Sequence, residues 1–326
     1  ATVFLNGELL FTGNCSYQSR SASYLGAISL EDALHLHLKP GRNEVLFQIT
    51  ESFGGWGLVG QDNDADYQHE SLTKLWELDT VFQMPESAIY DPQRDVFYVS
   101  NFYRGGNEFI SRVDRNGTVL DLEWVTGLSR PTGMVIHDDR LWIIDRAHLN
   151  EIDLEVGEIV NQFEVPEPGF INDVAFHASG DAYISDSNGS KLYRFRGGEV
   201  AVWLEGEEVS DPNGLLMDND RLVFGNSGDG CLKAVNLTTR QVTTITCCGA
   251  GAIMDGLRSD GRGNYLFSDF NGRLIRVSPE GEQLEVLNTT SSGAYCADFE
   301  YVRDRQMIVV PGLYNNRLTA YGVDGL

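Results

Sequence analysis

Short apolar segments alternate with clusters of Gly, Asn, Asp and Ser along most of this chain, and from about residue 74 the alternation recurs at a nearly constant spacing. The clearest unit runs through Val174-Ala175-Phe176, a polar turn at 177–181, Ala182–Ser185, a second turn at 186–189, and then Lys191–Arg196 and Val200–Leu204. Segments of this length, rich in β-branched and aromatic residues and bounded by turn formers, predict strands rather than helices. Each unit opens on a related motif: Pro85-Glu86-Ser87, Pro131-Thr132-Gly133, Ile171-Asn172-Asp173, Pro212-Asn213-Gly214, Met254-Asp255-Gly256 and, less regularly, Ala297-Asp298. The first five anchors, Glu86, Thr132, Asn172, Asn213 and Asp255, are 46, 40, 41 and 42 residues apart. A period of this size built from four short strands is the signature of propeller blades.

The last unit, from Cys296, supplies three strands before residue 326, and Lys74–Phe82 precedes the first anchor as a free strand. Letting that strand complete the last unit joins the two ends and removes an open sheet edge. The expected fold is therefore all-β, a six-bladed β-propeller over residues 67–326.

Residues 1 to about 61 do not share the repeat. Thr2–Leu5 and Leu9–Phe11 flank Asn6-Gly7 and predict a hairpin. Leu34, Leu36 and Leu38 alternate with His, predicting a strand, and Pro40–Asn43 predicts a turn into a further strand at Glu44–Thr50. With Phe53-Gly54-Gly55-Trp56-Gly57, these motifs resemble an incomplete galactose-binding-like jelly-roll domain, a likeness of fold only. A small or partial β-sandwich over residues 1–66 is expected, ending in the acidic run Gln61–Asp66. That run lacks the glycine and terminal glutamate of an EF-hand loop and reads as a linker.

Composition narrows the partners. With 48 acidic against 24 basic residues the net charge is −24, which excludes nucleic acid and anionic membrane surfaces. No apolar run is long enough to span a bilayer. Five cysteines, Cys15, Cys231, Cys247, Cys248 and Cys296, form neither a disulfide framework nor a zinc spacing; one thiol of the adjacent pair is expected to pack inward. Sequons at Asn14, Asn116, Asn188, Asn236 and Asn288 coincide with turns and read first as turn chemistry. No signal peptide is visible; a soluble protein of a secreted or periplasmic compartment is the expectation over a cytoplasmic one.

Two sets of repeated positions behave differently. Asn101, Asp145, Asp186, Asn226 and Asp269 each follow the second strand of a unit and stay Asn or Asp, as turn-capping residues do. The anchors vary in type. Glu86, Asn172, Asn213 and Asp255 are all oxygen ligands for a hard cation, and two carboxylates brought face to face would repel without one. The expectation is one divalent cation, calcium first, with magnesium or zinc as alternatives.

On these motifs, with Tyr90-Asp91-Pro92, Asn172-Asp173-Val174-Ala175 and Ala297–Tyr301, residues 74–326 resemble the senescence marker protein, gluconolactonase and luciferin-regenerating-enzyme family of six-bladed propellers. The resemblance implies one divalent cation held by Glu86, Asn213 and Asp255, with Asn172 beside it as ligand or substrate contact. It implies hydrolysis of a lactone, with Asp255 as general base and Asn172, Thr132 and Phe170 facing the substrate. Sugar-lactone members carry an Arg where this chain has Phe170, and Gly-Pro where it has Ser87-Ala88. A less polar lactone or ester follows. The alternative is a non-catalytic binding module with a structural cation, recognising protein or carbohydrate, and carbohydrate contact through the N-terminal segment is expected under either reading.

Overall fold

The computed structural model describes residues 2–13, 36, 43–48, 66–103, 105–106, 108–249 and 251–325. Apart from Leu36, the strand expected at Leu34–Leu38 lies outside the described residues, as do 61–65 of the linker, Asn14 and Cys15. Among the described residues there is no α-helix. No helix among them is long and apolar enough to cross a membrane. The chain divides into Ala1–Asp64 and Ala65–Leu326.

In the first unit, Thr2–Leu5 lies between Glu8–Thr12 and Val45–Gln48 in an antiparallel sheet. The hairpin turns on Asn6 and Gly7, both at positive φ as a tight turn of this kind requires. Asn6 Oδ1 accepts from Glu44 N at 2.9 Å, tying the turn to the third strand.

The second unit holds six antiparallel sheets in sequence order. The first is built of Pro85–Asp91, Val96–Asn101, Glu108–Asp114 and Val119–Leu128. The next three repeat the pattern, opening on Met134–His137, Ile171–Phe176 and Pro212–Asp218. The fifth opens on Met254–Ser259 and takes Tyr67–Gln68 on its outer edge. In the sixth, Glu300–Val302, Met307–Gly312 and Arg317–Val323 are joined by Leu72–Asp79 from the other end of the chain. The closing strand starts and stops slightly earlier than Lys74–Phe82, and it pairs antiparallel along Arg317–Val323, with one register shift between Ala320 and Tyr321.

Burial explains the hydrophobic pattern. Second strands such as Val96–Asn101 are covered on both faces and are buried throughout, whereas outer strands such as Glu158–Glu164 are mostly exposed and polar. Six apolar clusters fill the gaps between consecutive sheets, pairing Tyr98 with Ile143, Ile144 with Ile184, Tyr183 with Phe224, Val223 with Phe267, and Leu266 with Ile308. The sixth cluster joins Val309 to Phe97 and so connects the last sheet with the first. The sheets therefore form a closed cycle, with their first strands innermost.

The recurring Asn/Asp residues do more than cap their own turns. Each also accepts from the segment that leads into its sheet's first strand: Asn101 from Gln83 N at 2.9 Å, Asn226 from Ser210 N at 2.7 Å, Asp269 from Ile253 N at 3.2 Å. Asp145 takes Ser129 N at 3.4 Å as well as His148 N at 3.0 Å. Asp186 is fully buried and accepts from Gly169 N, Phe170 N and Gly189 N at 2.9, 2.7 and 2.9 Å. Orphaned buried N–H groups cost about 1–3 kcal/mol each. Asp186→Ala is therefore expected to destabilise the protein by at least about 2 kcal/mol in denaturant titration. An unchanged midpoint would show that these bonds do not anchor the incoming segment.

One expectation is corrected. Cys231 and Cys247 are disulfide-bonded. They stand directly opposite one another across neighbouring strands of the fourth sheet, so strand register and not cysteine spacing pairs them. Cys248 stays free and half-buried, packed against the apolar cluster between the fourth and fifth sheets, and Cys296 is free and buried. Asn236 accepts from Thr238 N and Thr239 N at 3.0 and 2.8 Å, and Asn288 from Thr290 N at 3.1 Å, the turn chemistry expected at those sequons.

Candidate metal centre

Four anchors sit at the same irregularity in their sheets. In the first sheet Pro85 pairs Asn101 and Ala88 pairs Val99, so Glu86 and Ser87 together face one residue. The same break falls at Asn172-Asp173, Asn213-Gly214 and Asp255-Gly256. A bulge inserts one residue, bends the strand and re-aims a side chain away from the regular pleat. On these innermost strands Asp255 comes within electrostatic reach of Glu86 and bonds the Asn213 side chain.

The residue after each anchor interlocks the sheets. In Gly214 an added Cβ would stand 1.6 Å from the Asp255 carbonyl oxygen, and in Gly256 it would stand 2.5 Å from Asp298 Oδ1. Only glycine permits those approaches. Where the following residue has a side chain it is polar and bonded: Ser87 Oγ donates to Asp298 Oδ2 at 2.6 Å, and Asp173 accepts from Leu215 N and Val174 N at 2.7 Å. Ser87 and Asp298 also form a parallel bridge between the first and sixth sheets.

Glu86, Asn172, Asn213 and Asp255 are only 5, 7, 7 and 6% exposed. Burial pushes the Glu86 carboxyl well above its usual range, and Asp255, Asp298 and Asp173 push it further. Asp255 is raised in the same sense by burial and then by Asp298 and Asp173, with the Asn213 side chain opposing the shift. Asp173 is raised to about 7 by burial and by Asp298. Against these four carboxyls stands Arg258, whose Nη1 lies 3.1 Å from Asp298 Oδ1 and whose Nε lies 3.4 Å from Glu300 Oε2. Arg258 Nη2 also donates to Asp298 Oδ2 at 3.4 Å, while Asp298 Oδ1 accepts no hydrogen bond. One guanidinium shared with Glu300 leaves the centre short of positive charge.

Two oxygens mark where more is wanted. Glu86 Oε2 and Asn213 Oδ1 are buried and have no hydrogen-bond partner. Buried acceptors are almost always satisfied, so a pair of orphans beside ionisable carboxyls fits a bound cation. Among the described residues no group of three or more His, Cys, Asp or Glu is placed to hold a metal; the set here mixes carboxylates with amides, which suits a hard ion.

The electrostatics bring Glu86, Asn213 and Asp255 together. Asn172 holds the equivalent bulge position in the third sheet, with its carbonyl bound by Gly133 N at 2.8 Å. Thr132 is buried and its hydroxyl lies 3.5 Å from the Ile171 carbonyl. Phe170 stands two residues outside Asn172, half-buried, its N–H held by Asp186. Asp173, Asp298 and Arg258 were not singled out from sequence. The signal for the two aspartates lay at the position after each anchor, where Gly alternates with Ser and Asp, and Arg258 had none.

Residues 84–299 match the family model described as SMP-30/Gluconolactonase/LRE-like region. No curated protein matches the sequence. Among solved structures, a gluconolactonase of Xanthomonas campestris is 14% identical, with 78% of this chain and 89% of that one covered at a TM-score of 0.62. A calcium-binding protein, regucalcin, of Agrobacterium tumefaciens is 15% identical, with 74% and 90% covered and a TM-score of 0.57. A virginiamycin B lyase of Staphylococcus aureus is 12% identical, with 78% and 100% covered and a TM-score of 0.58. At these identities the likeness concerns the fold.

Proposed function

For a chain that belongs to the SMP-30/gluconolactonase/LRE-like family, we propose a metal-dependent hydrolase of a lactone or related ester, carried on a six-bladed β-propeller and preceded by a partial sandwich. The closed cycle of six sheets supports the blade count, one sheet to a blade. The observation that carries the function is the pair of orphaned buried oxygens, Glu86 Oε2 and Asn213 Oδ1, beside a carboxyl at Asp255.

Glu86, Asn213 and Asp255 would hold the ion, with Asn172 completing the oxygen set. A divalent cation there supplies Lewis-acid polarisation of the carbonyl and raises the acidity of a nearby water. Asp255 accepts the proton that the water loses as its oxygen adds to the acyl carbon. The bond from that carbon to the ring or ester oxygen then breaks, and the proton passes to the released oxygen, giving a hydroxy acid or an acid and an alcohol. The raised pKa values have a consequence for this role. A buried Asp255 surrounded by carboxyls is a base only when neighbouring positive charge keeps it ionised.

The test is hydrolysis of a simple lactone and an aryl ester, with and without chelator. Turnover lost on chelation and restored by calcium is expected. A protein that binds calcium yet hydrolyses neither compound is a binding module with a structural ion.

A further inference from the structure

The side chains around the mouth of the cycle are unlike a site for a polyhydroxylated substrate. Strand register fixes which residues these are. Pro85 pairs Asn101, Ile171 pairs Asp186, and Met254 pairs Asp269, so the start of each first strand and the end of each second strand lie at the same end of the sheets as the anchors. Residues just before the anchors and just after the second strands therefore rim that end, about 7 Å beyond the anchors at two residues of extended chain.

On the side of the fifth and sixth sheets the rim is aromatic. Phe270 N donates to the Ile253 carbonyl at 2.8 Å, and the Phe270 carbonyl accepts from Cys296 N at 3.3 Å, which places this ring beside both incoming segments. Tyr295, two residues before Ala297, is held by Asn315 Oδ1 at 2.9 Å. The rings of Phe270, Tyr295 and Tyr314 pack mutually, with centroids 5.0, 5.8 and 5.1 Å apart. Tyr314 is nevertheless 55% exposed, and Ile253, whose carbonyl binds Phe270 N, is exposed as well.

The opposite side adds two more rings, beneath a guanidinium. Phe102 and Phe170 meet edge to face at 6.1 Å, and the Arg130 guanidinium lies over both rings at 5.0 and 5.3 Å. At the equivalent positions polar groups come from the second, third and fourth sheets: Ser129 with Arg146, Ser187, and Asp211 with Ser227. A polyol entering this mouth would lose water from its hydroxyls against carbon, whereas a flat apolar group would gain contact area.

We propose that this site takes a lactone or ester bearing an aromatic or similarly flat apolar group, docked against Phe270, Tyr295 and Tyr314 while the carbonyl reaches the anchors. The inference rests on the hydrolase reading above and adds its substrate class.

The experiment uses the full chain with calcium and compares a phenyl-substituted δ-valerolactone with glucono-δ-lactone. The phenyl compound is expected to have kcat/KM at least about tenfold higher, the usual scale of discrimination by an apolar pocket. Tyr314→Ala, at an exposed position, is expected to raise KM for the phenyl compound roughly tenfold, in line with the loss of ring contacts, and to change kcat little. Leu120→Ala, an exposed apolar residue on an outer strand, serves as the control and should match the parent. Hydrolysis that favours glucono-δ-lactone, or a Tyr314→Ala protein with unchanged KM, would overturn the substrate class and leave the hydrolase reading standing. Hydrolysis of neither compound would overturn the hydrolase reading, and the substrate class with it.

Discussion

Asp255→Asn is expected to reduce hydrolysis by at least about 100-fold, the usual contribution of a positioned general base. The substitution keeps the shape of the side chain and one ligand oxygen, but removes the charge that accepts a proton. It also removes one of the carboxyls that raise the pKa of Glu86. Part of any loss could therefore come through the ion, and calcium content is to be measured on the same sample. Asp186→Ala provides the contrast, because Asp186 binds the backbone N–H groups of Gly169, Phe170 and Gly189 rather than an anchor side chain and is expected to shift stability far more than turnover. Full activity in the Asp255 variant with the ion bound would reject this residue as the base and make Glu86 the next candidate.

The second large effect is on stability, and its sign depends on the ion. Without a cation, folding raises the pKa of Glu86, Asp255 and Asp173, the last from 3.8 to about 7. Raised carboxyls contribute stability that is complete below the unfolded values and is lost as pH rises through the folded ones. Chelated protein is therefore expected to melt at progressively lower temperature from about pH 4 to above pH 7. A bound cation reverses the sign, because it lowers the same pKa values below those of the unfolded chain. Calcium-saturated protein should then keep its stability above about pH 4 and lose it only on acidification. At about 100 times its dissociation constant a ligand adds roughly 2.7 kcal/mol. For a domain of this size that is a rise of about 5–8 °C in Tm. Calcium should restore Tm better than zinc. A melting curve at neutral pH that ignores both chelator and calcium would remove the ion from the site.

The strands, the repeat and the pairing of the chain ends were legible because they depend on local physics. Alternation of apolar and polar residues sets strand faces within a few residues, and Gly, Asn and Asp at recurring positions mark the turns. The spacing of the anchors carried the cyclic arrangement, and Leu72–Asp79 completes the sixth sheet close to where the free strand was expected. The turn-forming role of Asp186 and its counterparts was likewise readable from their constancy. Their second role, holding the incoming segment some sixteen residues earlier in the chain, was not.

What the sequence by itself determined, then, is an all-β chain of repeated four-stranded units with oxygen-bearing residues at one variable position. Only the tertiary structure decided how those residues face one another. The bulges that hold Glu86, Asn172, Asn213 and Asp255 arise from ladder register. Cys231 and Cys247 were paired by register too, across a hairpin whose offset no cysteine spacing encodes. The charge network of Asp173, Asp298 and Arg258 exists only once the third, fifth and sixth sheets meet. The physical reason is the same in each case. Strand and turn preferences act over a few residues, whereas burial, pKa and orphaned oxygens depend on groups that are distant in sequence and neighbours only after the cycle closes.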